Sequence, residues 1–322
     1  MNRSRRIASW CCIVAATLSC AAAAAQAADA RVLAPIELAA GVYMLPGLPG
    51  EPDAINLGRT GNAGFIVGRT GVLAIDTGTS YLHGRALLAA IRGVTDRPVR
   101  MAIVTHTRQE FLFGAAAYRE QGIPIAMQHE AAALMASRCE NCLKELRGTL
   151  GEEAMRGTEM FKPDLDFVDP LGVNAAQLIG RSLQVLYFGH SSGPGDIAVF
   201  DPRSGTLFAG GLLDAQRIPD VIDSNLAGWR EALRSLRAMP LDTIVPGHGP
   251  AASMRLVTQV ERYLELLEQR ERELLKAGTP LSAVPDASDL PEFSKWDQYD
   301  TIHRRNAAII YLRCEREQLV KQ

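Results

Sequence analysis

The sequence predicts an α/β fold of two sheets faced by helices, followed by a helical tail. Three observations carry that expectation. Short apolar, β-branched runs alternate with helix-spaced segments between residues 36 and 250; two pairs of these runs are joined by turn-forming stretches; after Pro250 only helical periodicity remains.

In chain order, Gly64–Gly68 and Val72–Asp76 read as strands joined by the Arg69-Thr70-Gly71 turn. Tyr81–Ile91 has helical spacing, and Arg100–Val104 is a further apolar strand ending at Thr105-His106. Ala115–Gln121 suits a helix, Ile123–Met127 a strand, and Glu130–Leu150 a helix containing Cys139-Glu140-Asn141-Cys142. Beyond a polar interval at 162–170, strands are expected at Leu183–Phe188, Asp196–Phe200 and Thr206–Ala209, the last two joined by the Asp201–Gly205 loop. A helix at Leu226–Met239 and a strand at Thr243–Val245 lead into Pro246-Gly247-His248-Gly249-Pro250. An amphipathic helix at Ser253–Lys276, closed by Gly278 and Pro280, and a last helix at Tyr299–Leu319 form the tail.

Composition narrows the function. With 34 basic against 36 acidic residues the formal charge is -2, which argues against nucleic acid as a partner. At 47% hydrophobic and 22% charged residues the chain is neither a disordered polymer nor a fibrous repeat. The amino terminus carries Arg3, Arg5 and Arg6, then an uncharged run at 7–28 rich in Ala, Ser, Thr and Cys. That run is long enough for an anchor, but its small residues and the Ala-Gln-Ala and Ala-Asp-Ala triplets ending at Ala27 and Ala30 predict a cleaved signal peptide at 1–30. A periplasmic protein with no membrane span after cleavage is expected.

Three His share one setting. His106 follows Ile103-Val104-Thr105, His190 follows Tyr187-Phe188-Gly189, and His248 follows Val245-Pro246-Gly247. Each ends an apolar run and begins a loop, where open α/β scaffolds hold ligands and catalytic groups. A lone loop His is usually unremarkable chemically; three in one context suit zinc. His83, His129 and His303 lie on or beside helices and are weaker candidates.

These motifs resemble the metallo-β-lactamase fold superfamily of metal-dependent hydrolases. The match runs through Asn62–Val67, Ile75-Asp76-Thr77-Gly78, Thr105-His106, Gly189–Asp196, Leu207–Gly210 and Pro246–Pro250. It implies a four-layer αββα sandwich at 31–252, with a helical CxxC insertion at about 130–165 and a helical extension at 253–322. Gly228-Trp229, the CxxC insertion and the Tyr299-Asp300-x-x-His303-x-Arg305-Asn306 tail are similar to the quinoprotein relay system zinc metallohydrolase branch. That similarity implies a pyrroloquinoline quinone dehydrogenase system as partner.

The departures from the family pattern bear directly on function. Where the family has His-x-His-x-Asp-His, this chain has His106-Thr107-Arg108-Gln109-Glu110-Phe111, and Gly211 replaces a bridging Asp. His106, His190 and His248 remain as implied ligands, with Asp76 and Asp196 in supporting positions. Two states are open. One zinc ion at most is held by the three His, with Glu110 as ligand or general base and Arg108 binding a substrate carboxylate or oxyanion. Alternatively Arg108 pairs with Glu110 and fills the vacated space, leaving a metal-free pocket. Asp214 could reach back as a substitute carboxylate, although Leu212-Leu213 reads as a buried strand aiming it elsewhere.

Cys139 and Cys142 lack a following His, which excludes covalent haem attachment. In an oxidising envelope they predict a local disulfide; a redox-active pair would need one thiol of lowered pKa. Cys314 reads as a buried helix residue. The expectation is an exported hydrolase-like protein for a small-molecule substrate, or a non-catalytic binding or accessory protein of a quinoprotein oxidation system.

Overall fold

The computed structural model describes residues 33–168 and 175–320; the signal peptide expected at 1–30 lies outside the described residues. Two antiparallel hairpins open the first sheet: β1 (Ile36–Ala39) with β2 (Val42–Leu45), and β3 (Ala63–Val67) with β4 (Val72–Ile75). Strands β5 (Val99–Val104), β6 (Ile125–Gln128) and β7 (Leu165–Phe167) then add in parallel, giving seven strands in sequential order. The second sheet has the order β11-β10-β9-β8, from β8 (Gln184–Tyr187), β9 (Ile197–Asp201), β10 (Thr206–Asp214) and β11 (Thr243–His248). Only β10 and β11 are parallel there.

Between the sheets Val42, Met44, Ile66, Leu73 and Ile103 pack with Ile197, Val199, Phe208 and Val245, all buried. Helices cover the outer faces. On the first sheet's side, α1 (Tyr81–Val94) begins at Ser80, whose hydroxyl accepts from His83 N, and buries Leu87, Leu88 and Ile91. After the short α2 (Gln109–Leu112), α3 (Ala115–Arg119) packs on α1. Helix α4 (His129–Leu150) is capped by Gln128 and buries Ala131, Met135, Cys139, Leu143 and Leu146, one stripe at helical spacing. The short α5 (Ala175–Ile179) leads to β8.

The second sheet's outer face is covered by α6 (Leu226–Arg237), α7 (Arg255–Lys276) and α9 (Arg304–Val320), with the one-turn α8 (Val284–Ala287) between the last two. Trp229 of α6 is fully buried and donates from Nε1 to Leu212 O at 2.9 Å. Tyr263, Leu264 and Leu267 of α7 meet Ile310, Tyr311 and Cys314 of α9 in the same core. The helical extension is therefore the outermost layer of the sandwich, and Cys314 is buried within it. No helix among the described residues is long and apolar enough to cross a membrane.

Two expectations change. The β1–β2 hairpin and β7 were not read from the sequence, and β10 runs on to Asp214 through Gly210, whose φ is +53°. The expected Cys139–Cys142 disulfide is not formed: both thiols are free within the unbroken helix α4. Helix neighbours three apart hold their Cβ atoms about 5–6 Å apart, wider than the roughly 3.8 Å of a relaxed disulfide.

Candidate active site

The carboxyl ends of β5, β10 and β11 converge on one cleft of about 240 Å³, walled on one side by α4. His106 follows β5 and is buried, its ring 4.4 Å from that of Phe111. Behind it, Asp76 accepts from Thr105 N at 2.9 Å and from Thr105 Oγ1 at 3.0 Å. Thr105 Oγ1 lies 2.8 Å from His106 Nδ1. Since the hydroxyl proton goes to Asp76, Nδ1 carries a proton and donates, and Nε2 is left as the basic nitrogen. Burial pushes Asp76 up to about 7 and His106 down to about 3, so this imidazole is neutral. Asp76 holds φ at +61°, a left-handed conformation rare outside glycine.

His248 ends β11 under different constraints. Its Nδ1 donates to Asp214 Oδ1 at 2.7 Å and its Nε2 to Glu110 Oε1 at 3.0 Å. Burial opposes a charge on the ring, but Asp214 and then Glu110 outweigh it and raise His248 to about 9. Burial likewise opposes ionised Glu110, and the His248 bond overrides it, holding Glu110 at about 2. An imidazolium therefore sits between two carboxylates. Phe111, fully buried, places its ring 5.4 Å from that of His248 and occupies the space between the two imidazoles.

His190 is not part of this cluster. It is exposed, and its Nε2 lies 2.6 Å from the carbonyl oxygen of Asp223. The inner side of that loop belongs to Arg108, whose Nη1 is 3.2 Å from Asp220 Oδ2 and 3.7 Å from Asp223 Oδ2. Its Nη2 donates to Asp220 O at 3.2 Å. Burial works against the guanidinium, but Asp220 and Asp223 keep it firmly charged. The expected Arg108–Glu110 pair is thus replaced by two separate clusters, Arg108 with Asp220 and Asp223, and Glu110 with His248. Asp220 also receives Arg305 at 2.7 Å.

Asp214, offered by the sequence as a substitute carboxylate although its Leu212-Leu213 context aimed it elsewhere, does reach the cleft, because the extra length of β10 brings it to His248. Its signal was the paired register of β10 and β11, which sets Asp214 opposite His248 and is invisible in one strand alone. Asp196 is buried below Ser192, accepting on Oδ2 from Ser191 Oγ at 2.8 Å, Ser192 Oγ at 2.7 Å and Gly193 N at 3.0 Å. Burial raises it above the usual carboxylate range. Of the other His, His83 accepts from Thr79 N and His303 bonds Tyr263 and Ser288, all outside the cleft.

The donors present do not fit a zinc ion. Catalytic zinc needs three protein ligands around an open position. Here both nitrogens of His248 are engaged by carboxylates, His190 faces away, and Arg108 brings a permanent cation. Among the described residues no group of three His, Cys, Asp or Glu is placed to hold a metal. The bridging position is closed as well: a Cβ at Gly211 would lie 2.6 Å from both His106 Cδ2 and Ser192 Oγ. Gly211→Asp is accordingly expected to destabilise the protein by about 1–3 kcal/mol through overpacking, without creating zinc affinity, as read by urea unfolding and metal analysis.

Comparison with known proteins places this architecture. A metallo-beta-lactamase from Pontibacter korlensis superposes with a TM-score of 0.59 at 22% identity, over 72% of this chain and 99% of that one. The metallo-beta-lactamase FIM-1 from Pseudomonas aeruginosa, solved in a mono-zinc form, gives 0.57 at 20% identity over 77% and 97%. These likenesses concern the fold. In sequence, a linear primary-alkylsulfatase from Pseudomonas sp. is 23% identical over 272 residues, covering 71% of this chain and 50% of that protein. The chain thus spans about half the length of that curated relative. The metallo-beta-lactamase superfamily model matches residues 57–248, from the loop before β3 to the last residue of β11 and including every cleft residue from His106 to His248. The chain belongs to the metallo-beta-lactamase superfamily.

Proposed function

We propose that this protein uses the superfamily's cleft as a metal-free binding site for a small polar molecule. The observation that carries this reading is the His248 ring held between Glu110 and Asp214, with Nε2, the nitrogen that would face a metal, taken by Glu110 at 3.0 Å. What the cleft offers instead is a lining dominated by hydrogen-bonding and charged groups with a few apolar side chains. Arg108 and Arg305 present N–H groups, His106 presents a basic Nε2, and Ile218, Ile222 and Leu134 supply apolar contact. Cations and carboxylates both line the cleft beside these apolar side chains, so a ligand with both polar and apolar parts is favoured over a polyanion.

The hydrolase chemistry of relatives is lost in this reading, and an accessory role in the cell envelope beside a quinoprotein oxidation system belongs to the same proposal. The test combines activity and binding. Purified protein supplied with zinc is assayed on ester, thioester, β-lactam and alkyl sulfate substrates, the last chosen from the relative's name. Turnover at the buffer rate, together with thermal stabilisation by a small ligand that survives chelator and is lost in Arg108→Ala, is the expected outcome. Turnover that disappears with chelator and in His106→Ala would overturn the proposal.

A further inference from the structure

Cys139 and Cys142 lie one turn apart on α4 and both line the cleft, beside Arg138 and across from Arg108. Cys139 is buried and Cys142 half-buried, so the two differ in access from the cleft. The neighbouring Cys139 thiol draws Cys142 below the ordinary thiol range, to about 7; burial opposes this, Arg138 assists it and Glu145 opposes it. Cys139 is pushed the other way, up, by its Cys142 neighbour and by burial. As a thiol, Cys142 Sγ donates to the Arg138 carbonyl oxygen at 3.7 Å. Neither the cleft's ion-pair clusters nor the proposed binding role uses these thiols.

We propose that Cys139 and Cys142 form a redox-active dithiol that exchanges with low-molecular-weight disulfides admitted to the cleft, Cys142 attacking and Cys139 resolving. The Cys142 thiolate attacks one sulfur of the small disulfide, whose S–S bond breaks and releases one small thiolate. That thiolate takes the Cys139 proton and leaves as a thiol. Cys139 then attacks Cys142 Sγ, the mixed disulfide breaks, and a second small thiolate departs. Two electrons pass from the protein dithiol to the small disulfide, and one protein disulfide is formed.

The position on the helix makes the exchange reversible. Closing a disulfide across one helical turn requires the Cβ atoms to approach by more than about 1 Å, and strained disulfides are the labile ones. The turn is also wired to the cleft: Arg138 pairs with Asp223, which faces Arg108. Oxidation of the pair therefore acts on the wall that holds the cleft's main cation.

The test uses the wild-type protein and two single-thiol variants. One sample of purified protein is alkylated with iodoacetamide between pH 5 and 9 and read by peptide mass spectrometry; a second, unalkylated sample is equilibrated in mixtures of oxidised and reduced glutathione and its disulfides are read in the same way. Cys142 alkylation with a midpoint near pH 7, and a Cys139–Cys142 disulfide that forms and reopens with the glutathione ratio, are expected. In Cys139→Ser a glutathione adduct accumulates on Cys142; in Cys142→Ser none accumulates on Cys139. Cys142 reactivity rising only above pH 8, or no disulfide between the pair at any glutathione ratio, would overturn the proposal. Metal and ligand occupancy of the cleft enter none of these readouts, so this proposal and the binding proposal fail independently.

Discussion

His248→Ala is expected to cost about 3–5 kcal/mol of stability in urea unfolding at pH 6, the loss typical of removing one partner from a buried ion pair. The substitution leaves Glu110 and Asp214 facing an emptied space with no cation between them. The pH dependence identifies the cause. His248 is raised from 6.5 to about 9, so its contribution is complete below pH 6.5 and is lost as pH rises through 9. Glu110 is lowered from 4.5 to about 2, so its contribution is complete above pH 4.5 and is lost as pH falls through 2. The cluster therefore stabilises most between pH 4.5 and 6.5. Wild type minus His248→Ala should trace that plateau, falling by about 3 kcal/mol toward pH 9, with the shared His248–Glu110 bond counted once. A loss below about 1 kcal/mol, flat with pH, would show that His248 is a vacant ligand and not a clamped cation.

Arg181→Ala is expected to cost a similar amount, about 3–5 kcal/mol, for a reason rooted in the sandwich. Arg181 is buried, its Nε 3.1 Å from Asp201 Oδ1 and its Nη2 2.5 Å from Asp201 Oδ2, at the end of β9 in the second sheet. Its Nη1 donates to Ala40 O at 2.9 Å and to Val67 O at 3.2 Å, at the β1–β2 turn and the end of β3 in the first sheet. One guanidinium thus ties the edges of both sheets. Burial opposes the Asp201 charge, and Arg181 nevertheless holds that carboxyl below its usual range. Removing Arg181 strands a fully buried carboxylate and two backbone carbonyls. Arg181→Lys should recover only part of the loss, because an ammonium lacks the planar fork that serves Asp201 with two bonds. Thermal and urea unfolding of the two variants check this; equal stability of Arg181→Ala and wild type would remove the tie from the account.

Both effects were hidden in the sequence for the same reason. Arg181 and Asp201 are separated by β8 and β9, and Asp201 reads locally as a turn residue before Pro202, so nothing in either segment announces an ion pair. The strands themselves were legible, because Val72–Ile75, Ile197–Asp201 and Thr243–Val245 are buried through and carry continuous apolar runs. The β1–β2 hairpin was not, since β1 is an exposed edge with mixed residues and no apolar run. At the site, strand-end position correctly located His106 and His248 on the cleft. It could not tell them from His190, whose orientation is set by a loop bond to Asp223 O. The clamp on His248 depends on Asp214, reached by a strand longer than its apolar run suggested. Motif spacing therefore read where the chain brings groups, while protonation and pairing depended on contacts between distant strands.

Those contacts make the central claim a statement about metal. Purified protein incubated with excess zinc, freed of unbound ion by gel filtration and analysed for metal, measures it most directly. Zinc well below one equivalent, unchanged in His106→Ala and His190→Ala, is the expected result. One equivalent of zinc that is lost in His106→Ala and in His248→Ala would contradict it.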